Sequence, residues 1–432
     1  MTGSSLPAES WSDSRPVAGP KLGRVSFSST VTYRLPPKEF AERAAALAQR
    51  FAGSGELADF AAIRGSVVEM MSTAQLPRYG VPTQLAPNRS APDHLDGFAT
   101  LLTRLSEMSS FLAMDGDYSA ISLTMNFFLS SASVDELIAL SHSCYGSSAT
   151  SPVLIRLDST TISGQSLKEL HERLAKELGI SSPDQISDQF RCIEIREIES
   201  FVDADAALNA NITPVYGALL GDEGWRHVPA AVAGSTLAKR WGTRSFFTVV
   251  SSGDGCLMLN LRPPAFSTSQ EKFFGGFFAG ELPYFSHEFK IACVDHGPFF
   301  AMELCSYRKC VADDLRRRLE RRGSSPSPPS VLGGIRHRAY RRSLYHELTQ
   351  GLRRLRLNRM TELAALDNVV EVGSGLPDRL ARLNELVQAF EAEEQVAYMY
   401  RVNSTMATIA WITLAVAVFG AVLTVIALVA AL

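Results

Sequence analysis

Residues 406–432 read MATIAWITLAVAVFGAVLTVIALVAAL, without a single charge. No other stretch limits the fold so strongly. At ~1.5 Å rise per residue a helix of this length reaches roughly 40 Å, enough to cross a hydrocarbon core of about 30 Å with some tilt. A second pass would need about twice as many residues, and Phe419-Gly420 makes no polar turn, so one membrane helix is expected.

The 432 residues are 46% hydrophobic and 20% charged, which suffices for a substantial core ahead of that helix. A net charge of −3 supplies no basic field, so nucleic acid is not indicated as a partner. The start of the chain shows no apolar run after a basic stretch, which places the preceding domain in the cytoplasm as an expectation. Arg379, Arg382 and Arg401 precede the apolar run and no Lys or Arg follows it, as the positive-inside rule asks. The six cysteines form no C-x-x-C pair and no zinc-like spacing to histidine, so reduced thiols are expected.

Residues 1–23, rich in Ser, Pro and Gly, read as a disordered start. Alternation of Val25 and Phe27, then Val31, Tyr33 and Leu35, predicts a strand with one buried face, and a helix over 38–51 follows. Helices are further predicted over 56–71 and 95–114, with a proline-rich loop at 76–93 between them. Residues 119–129 read as a strand leading to a helix with a capping box at Ser133 and Glu136. Strand 153–157, helix 166–178 and strand 191–198 then suggest crossover units. A helix over 230–241, a strand pair at 245–250 and 256–261, and a helix over 299–322 close the unit. The phenylalanine-rich stretch 271–289 reads as a buried loop or strand contact, too short and too charged to cross a membrane. The expectation is an α+β or α/β cytosolic domain with a mixed sheet over residues 24–322.

GSSPSPPSVLGG at 323–334 is the clearest linker, and arginines cluster on both sides of it as a solvated face or a contact for anionic headgroups. Beyond it, residues 335–405 read as a helical hairpin and stalk, with helices over about 335–366 and from 377 onward. Leu380, Leu383, Val387 and Phe390 recur at coiled-coil spacing at the start of the second helix. Inside the membrane stretch, Ala410, Thr413, Ala417, Gly420, Thr424, Ala427 and Ala431 recur at alternating intervals of 3 and 4, and all are small. Small residues permit the close backbone approach that helix association in lipid requires, so this face is a candidate oligomer seam, with Asn403 continuing it at the membrane edge. Glu391, Glu393 and Glu394 would form an acidic collar below the seam if several chains assemble. The stalk stripe is out of step with that seam by one residue, roughly 100° around a helix. Either the packing face shifts near Glu391 or the stalk stripe faces another neighbour.

The sequence of cytosolic α/β domain, helical pair and long stalk entering the membrane resembles the plan of CorA-type divalent-cation channels, mainly over residues 335–432. That family has two membrane helices and a Gly-Met-Asn signature; this chain has one such stretch and no such signature, so no filter residue carries over. The resemblance implies a homo-oligomeric stalk-and-membrane assembly with a divergent pore, for which a divalent cation is the compatible ligand.

The best polar constellation is the turn Asp222, Glu223, Arg226 and His227, two carboxylates with a guanidinium and an imidazole suited to a metal or phosphate ligand. An exposed turn explains it equally. Asp295-His296-Gly297 and Asp254 are further candidates. No P-loop, G-x-S-x-G, H-E-x-x-H or dinucleotide fingerprint is present, so neither a catalytic residue nor a cofactor is assigned. Two readings follow. One is a membrane-anchored homo-oligomer whose cytosolic domain senses a ligand or partner. The other is a tail-anchored enzyme or scaffold that uses the helix only for attachment to the bilayer.

Overall fold

The structure, a computed structural model, describes residues 19–52, 69, 71–72, 76–86, 105–146, 153–182, 185–199, 201–243, 246–251, 254–261, 287–323, 355–357 and 360–431. Three long strands form its middle: β1 (Leu22–Arg34), β5 (Ala120–Ala132) and β8 (Ile186–Ile198). With β2 (Arg78–Val81), β4 (Leu105–Asp115), β9 (Arg240–Gly242), β10 (Phe246–Ser251) and β11 (Gly255–Asn260) they make one sheet in the order β2-β4-β5-β1-β8-β11-β10-β9. The β8–β11 pair is parallel and the other neighbours are antiparallel, so the sheet is mixed. A separate three-stranded sheet joins β3 (Thr83–Leu85), β6 (Val153–Leu157) and β7 (Thr160–Gly164).

Side chains alternate across a strand, so each long strand addresses two layers. The front face of the main sheet is apolar: Val25, Phe27, Leu123, Phe127, Ile193 and Ile195 are buried there. Over it lie α1 (Pro37–Phe51), α2 (Val134–Tyr145), α3 (Leu167–Glu177), α4 (Ala204–Ala210), α5 (Ile212–Leu220) and α6 (Ala230–Leu237). The capping box at Ser133 and Glu136 forms in both directions, and Gly146 ends α2 at φ +106, a conformation only glycine adopts without strain.

The back face is different. On β1 it presents Ser26, Ser28, Thr30 and Thr32, and on β5 Ser122, Thr124 and Asn126. Thr30, Thr32 and Ser122 are fully buried, so β1 is covered on both faces and not on one only. Three helices do the covering: α7 (His287–Gly323), α8 (Thr361–Gly373) and the start of α9 (Leu376–Ala431). Toward the β8–β10 side they bury an apolar cluster including Phe190, Phe246, Met258, Phe300 and Leu366.

Several local expectations are corrected. The stretch expected as helix through residue 114 contains β4, because pairing with β2 and β5 satisfies its backbone on both sides and overrides a helix-like spacing of apolar residues. The proline-rich loop contains β2 and β3, separated at Pro82. The helix expected through residue 241 stops at Leu237, and Trp241 sits in β9 with its indole donating to the Glu362 carbonyl at 2.9 Å. In the hairpin, Leu355–Leu357 is not helical; Leu357 bridges to Ser72, and the helix begins at Thr361. The expected helix over 56–71, the stretch 271–286, and the linker and basic cluster over 324–354 lie outside the described residues, apart from Glu69 and Met71.

Helix α9 changes character along its length. Leu376 and Leu383 are buried, and Leu380, Leu386 and Val387 pack partly against the same apolar cluster, so the stripe read as coiled coil faces this chain's own domain. That settles the offset between the two stripes: the first serves the domain, and the second is left for the membrane. From Tyr398 to Leu428 the helix has a high mean hydropathy, with Arg401 as its one charged residue, and its described side chains are exposed, which makes it a C-terminal membrane-spanning helix, the single one among the described residues.

Candidate functional site

Where α7 crosses the polar back face, the sheet and helix border a half-open cavity of about 510 Å³. Its floor is the row of Ser26, Ser28, Ser109 and Asn126, side by side on β1, β4 and β5. One wall is Glu194 with Arg196 of β8; the other is Asp295 with His296 of α7. Phe111, Phe128, Met258 and Phe299 add apolar surface. Arg196 donates to both Glu194 oxygens at 2.9 and 3.0 Å, and the Asn260 amide donates to Glu194 at 3.3 Å and Asp295 at 2.8 Å. Pro298 lies inside α7 just past this wall, and its missing N–H deprives the Val294 carbonyl of its helical donor. A pocket of this volume, mixing apolar walls with converging polar groups, has the general form of a small-molecule site.

Further along α7, the helix and sheet are joined by buried charge. Glu303, fully buried, accepts from Ser122 at 2.7 Å and pairs with Arg78, which lies over the Phe300 ring. Ser306 lies 2.9 Å from Thr32 and from Asp188, and Tyr307 lies 3.1 Å from the Ala113 carbonyl. Lys309 pairs with Asp254 and stands 3.9 Å from Asp188. Arg379, in the first turns of α9, reaches Asp188 at 3.4 Å and Asp313 of α7 at 2.8 Å. Burial pushes the Asp188 carboxyl up to about 6, against the pull of Lys309. Arg308 is fully buried between Asp367, at 3.1 and 2.8 Å, and Glu371 at 3.1 Å, which fixes α8 to α7.

The turn expected to bind a ligand is engaged structurally. Asp222 caps the short 3-10 turn Glu223–His227 by accepting from Gly224 at 2.8 Å. Glu223 meets His142 of α2 at 3.1 Å, and Arg226 forms a two-point pair with Asp135 at 3.0 and 2.5 Å. Those hydrogen bonds from Arg226 hold Asp135 below the usual carboxylate range. His227 is exposed at the end of the turn. Glu223 and Arg226 therefore tie this turn to α2 while Asp222 caps it, and all four candidates lie away from the lining of the cavity.

One buried cluster has the composition of a nucleophilic centre. Ser29 lies 3.1 Å from His171 Nε2 and accepts from Cys144 Sγ at 3.5 Å. Burial raises the thiol to about 11 and drives His171 down to about 3, so the pair sits as neutral thiol and neutral imidazole. An activated thiolate needs the reverse shifts and an open face, and these side chains are 0–1% exposed. Among the described residues no group of three or more His, Cys, Asp or Glu side chains is arranged to hold a metal.

Of the sequence candidates, Asp295 and His296 line the cavity and Asp254 enters the ionic network. The hydroxyl row was legible only as alternating Ser and Thr in β1, which reads as the solvent face of a strand. The seam residues Asn403, Ala410, Thr413, Ala417, Gly420 and Thr424 lie on the exposed part of α9, with Ala427; Ala431 closes the helix, and its side chain, like those of Glu391, Glu393 and Glu394, is outside the described set. Thr413 and Thr424 donate to the carbonyls of Ile409 and Gly420 in their own helix, each at 2.8 Å. Comparison of the chain with protein-family models, curated proteins and solved structures finds no match in any of the three.

Proposed function

We propose that this chain is a membrane-anchored, self-associating protein whose cytosolic domain senses a ligand or partner and acts through the stalk and membrane helix. The observation that carries this reading is the double engagement of α7. Asp295 and His296 of that helix line the cavity, and about 20 to 27 Å along it at ~1.5 Å per residue, Lys309 and Asp313 hold the sheet and α9. A change in how α7 seats on the polar face is thereby delivered to the root of the membrane helix. For a purely passive anchor, nothing requires α9 to be tied by charge to an inner strand.

Self-association is supported by the small-residue face of α9, which is exposed from Asn403 to Ala427 and packs on no other described element. The hydroxyls of Thr413 and Thr424, already spent on their own helix, favour a dry packed seam over a water-filled, CorA-like pore. Single cysteines along residues 410–424 of the full chain in bilayers test this, since all six native cysteines are buried. Crosslinks strongest at Ala417 and Gly420 support the seam; crosslinks at Leu414 and Val418 alone, or none, reject it. Exchange of residues 406–432 for an unrelated membrane helix separates the remaining alternative: a tail-anchored enzyme or scaffold keeps its activity, whereas the proposed assembly loses it.

A further inference from the structure

Buried Asp188 of β8 meets α7 with one carboxyl oxygen and α9 with the other. Oδ2 accepts from Ser306 of α7 at 2.9 Å and stands 3.9 Å from Lys309 Nζ, whose closer partner is Asp254 in the turn between β10 and β11. Oδ1 faces Arg379 of α9 at 3.4 Å. Thr32, opposite Asp188 in the β1–β8 register, lies 2.9 Å from the same Ser306 hydroxyl. Asp313 of α7 shares the Arg379 guanidinium, and Arg34 of β1 is paired with Asp314 at 3.0 Å. The buried thiol of Cys310 is within electrostatic reach of Asp188, Asp313, Arg34 and Arg379, and burial keeps it protonated. The hydroxyls satisfy the Asp188 carboxyl in either protonation state. Ionised, it accepts from Ser306, which accepts from Thr32; protonated, it donates to Ser306, whose hydrogen turns to Thr32. Neither cation is stranded by the change, since Lys309 keeps Asp254 and Arg379 keeps Asp313. What the change removes is the charge tie from the sheet to α9.

We infer that Asp188 is a proton-operated latch on the root of the membrane helix: ionised, it ties α9 to β8 through Arg379, and protonated, it drops that tie and leaves α9 held to α7 by Asp313. This goes beyond the reading above, because the signal is the proton and it enters at the tie itself, away from the cavity. Burial sets the carboxyl at about 6, against the pull of Lys309 and Arg379, so mild acidification operates the latch. Burial costs the carboxylate more than its partners return, so net stability falls as Asp188 ionises. The share carried by Arg379 has the opposite sign: it is present above about pH 6 and is lost as pH falls through that value. Comparison with Arg379→Ala isolates that share, since a charge that favours ionised Asp188 is in turn held by it.

The test is amide hydrogen exchange over residues 376–387 in the full chain in nanodiscs, at about pH 7.5 and about pH 5, with each rate divided by the intrinsic rate at that pH. Arg379→Ala is expected to speed exchange about tenfold at the higher pH, where both of its carboxylates are charged, and only about threefold at the lower, where Asp313 alone remains. In Asp188→Asn the same Arg379→Ala change should give about threefold at both pH values, which separates Asp188 from every other group that titrates in this range. Equal acceleration at the two pH values in the otherwise native chain overturns the latch and leaves the coupling of α7 to α9 in place. No acceleration at either pH overturns both. A pH step that persists in Asp188→Asn assigns the switch to another group and overturns the latch.

Discussion

Arg379, in the first turns of α9, stands 3.4 Å from Asp188 of β8, so the helix that becomes the membrane span is fastened by charge to an inner strand of the sheet. Asp313 of α7 shares the same guanidinium at 2.8 Å. Arg379 is the meeting point of sheet, α7 and α9. Its side chain keeps 34% exposure, which moderates the energy of the contact.

Arg379→Ala is expected to cost about 1–3 kcal/mol, less than a fully buried pair because water screens the guanidinium. Urea denaturation of the domain measures it. The loss should be concentrated in α9, whose Leu376 and Leu383 would retain only their apolar contacts.

Arg308 presents the opposite case, with no exposure at all. Arg308→Ala leaves Asp367 buried without its bidentate partner and is expected to cost about 3–5 kcal/mol. Arg308→Met combined with Asp367→Leu should recover most of that loss, since a well-packed apolar pair replaces a buried ionic one at little or no cost. Glu371 retains Arg356 at 2.5 Å in the double variant. Recovery of less than half in a chemical denaturation experiment would show that the charge itself is required.

Stability should depend on pH with opposing contributions. The Asp188 carboxyl is raised to about 6 by burial, so the folded state binds more protons than the unfolded one between about pH 4 and 6. Its share of stability is full below that window and is lost as pH rises through it. His171, lowered to about 3, acts in reverse: its share is full above about pH 6.5 and is lost as pH falls. Asp188→Asn removes the first contribution, and relative to wild type the variant should lose roughly 1 kcal/mol of stability at pH 5 compared with pH 7. Lys309 keeps Asp254 and Arg379 keeps Asp313, so the variant still folds. An identical pH dependence for the two proteins, measured by thermal melts, would contradict the placement of Asp188.

The turn at residues 221–227 should respond to packing more than to its charges. A Cβ at Gly217 of α5 would lie 2.6 Å from Trp225 Cβ, with Trp225 fully enclosed. Gly217→Ala is expected to cost about 1–3 kcal/mol by overpacking. Arg226→Ala, which breaks a largely exposed pair with Asp135, should cost under about 1 kcal/mol. Thermal unfolding of the two variants compares them directly.

The membrane span, the capping box at Ser133 and the strands around Val25, Ile193 and Leu257 were legible because apolar periodicity is strong and local in each. β4 was not: its apolar residues fit a helical stripe, and only pairing with β2 and β5, which no local signal reveals, makes it a strand. The buried back face was hidden for a related reason. Alternating Ser and Thr in β1 looks like a solvated face, and it is buried only because α7 arrives from far along the chain with Glu303, Ser306 and Tyr307 to match it. The cavity depends on that same long-range meeting, so Asp295 and His296 were visible as residues and not as parts of a site. The stripe of Leu380, Leu383, Val387 and Phe390 has coiled-coil spacing, but Leu380, Leu383 and Val387 pack on this chain's own domain, a partner that spacing alone does not reveal.

Amide hydrogen exchange along α9, in the full chain in nanodiscs, tests most directly whether the root of the membrane helix belongs to the folded domain. Residues 376–387 should be protected to the same degree as α7 and lose that protection together in Arg379→Ala, while residues 388–397 exchange faster in both proteins. Uniformly fast exchange from residue 376 to the membrane would contradict the coupling and leave the helix a tether.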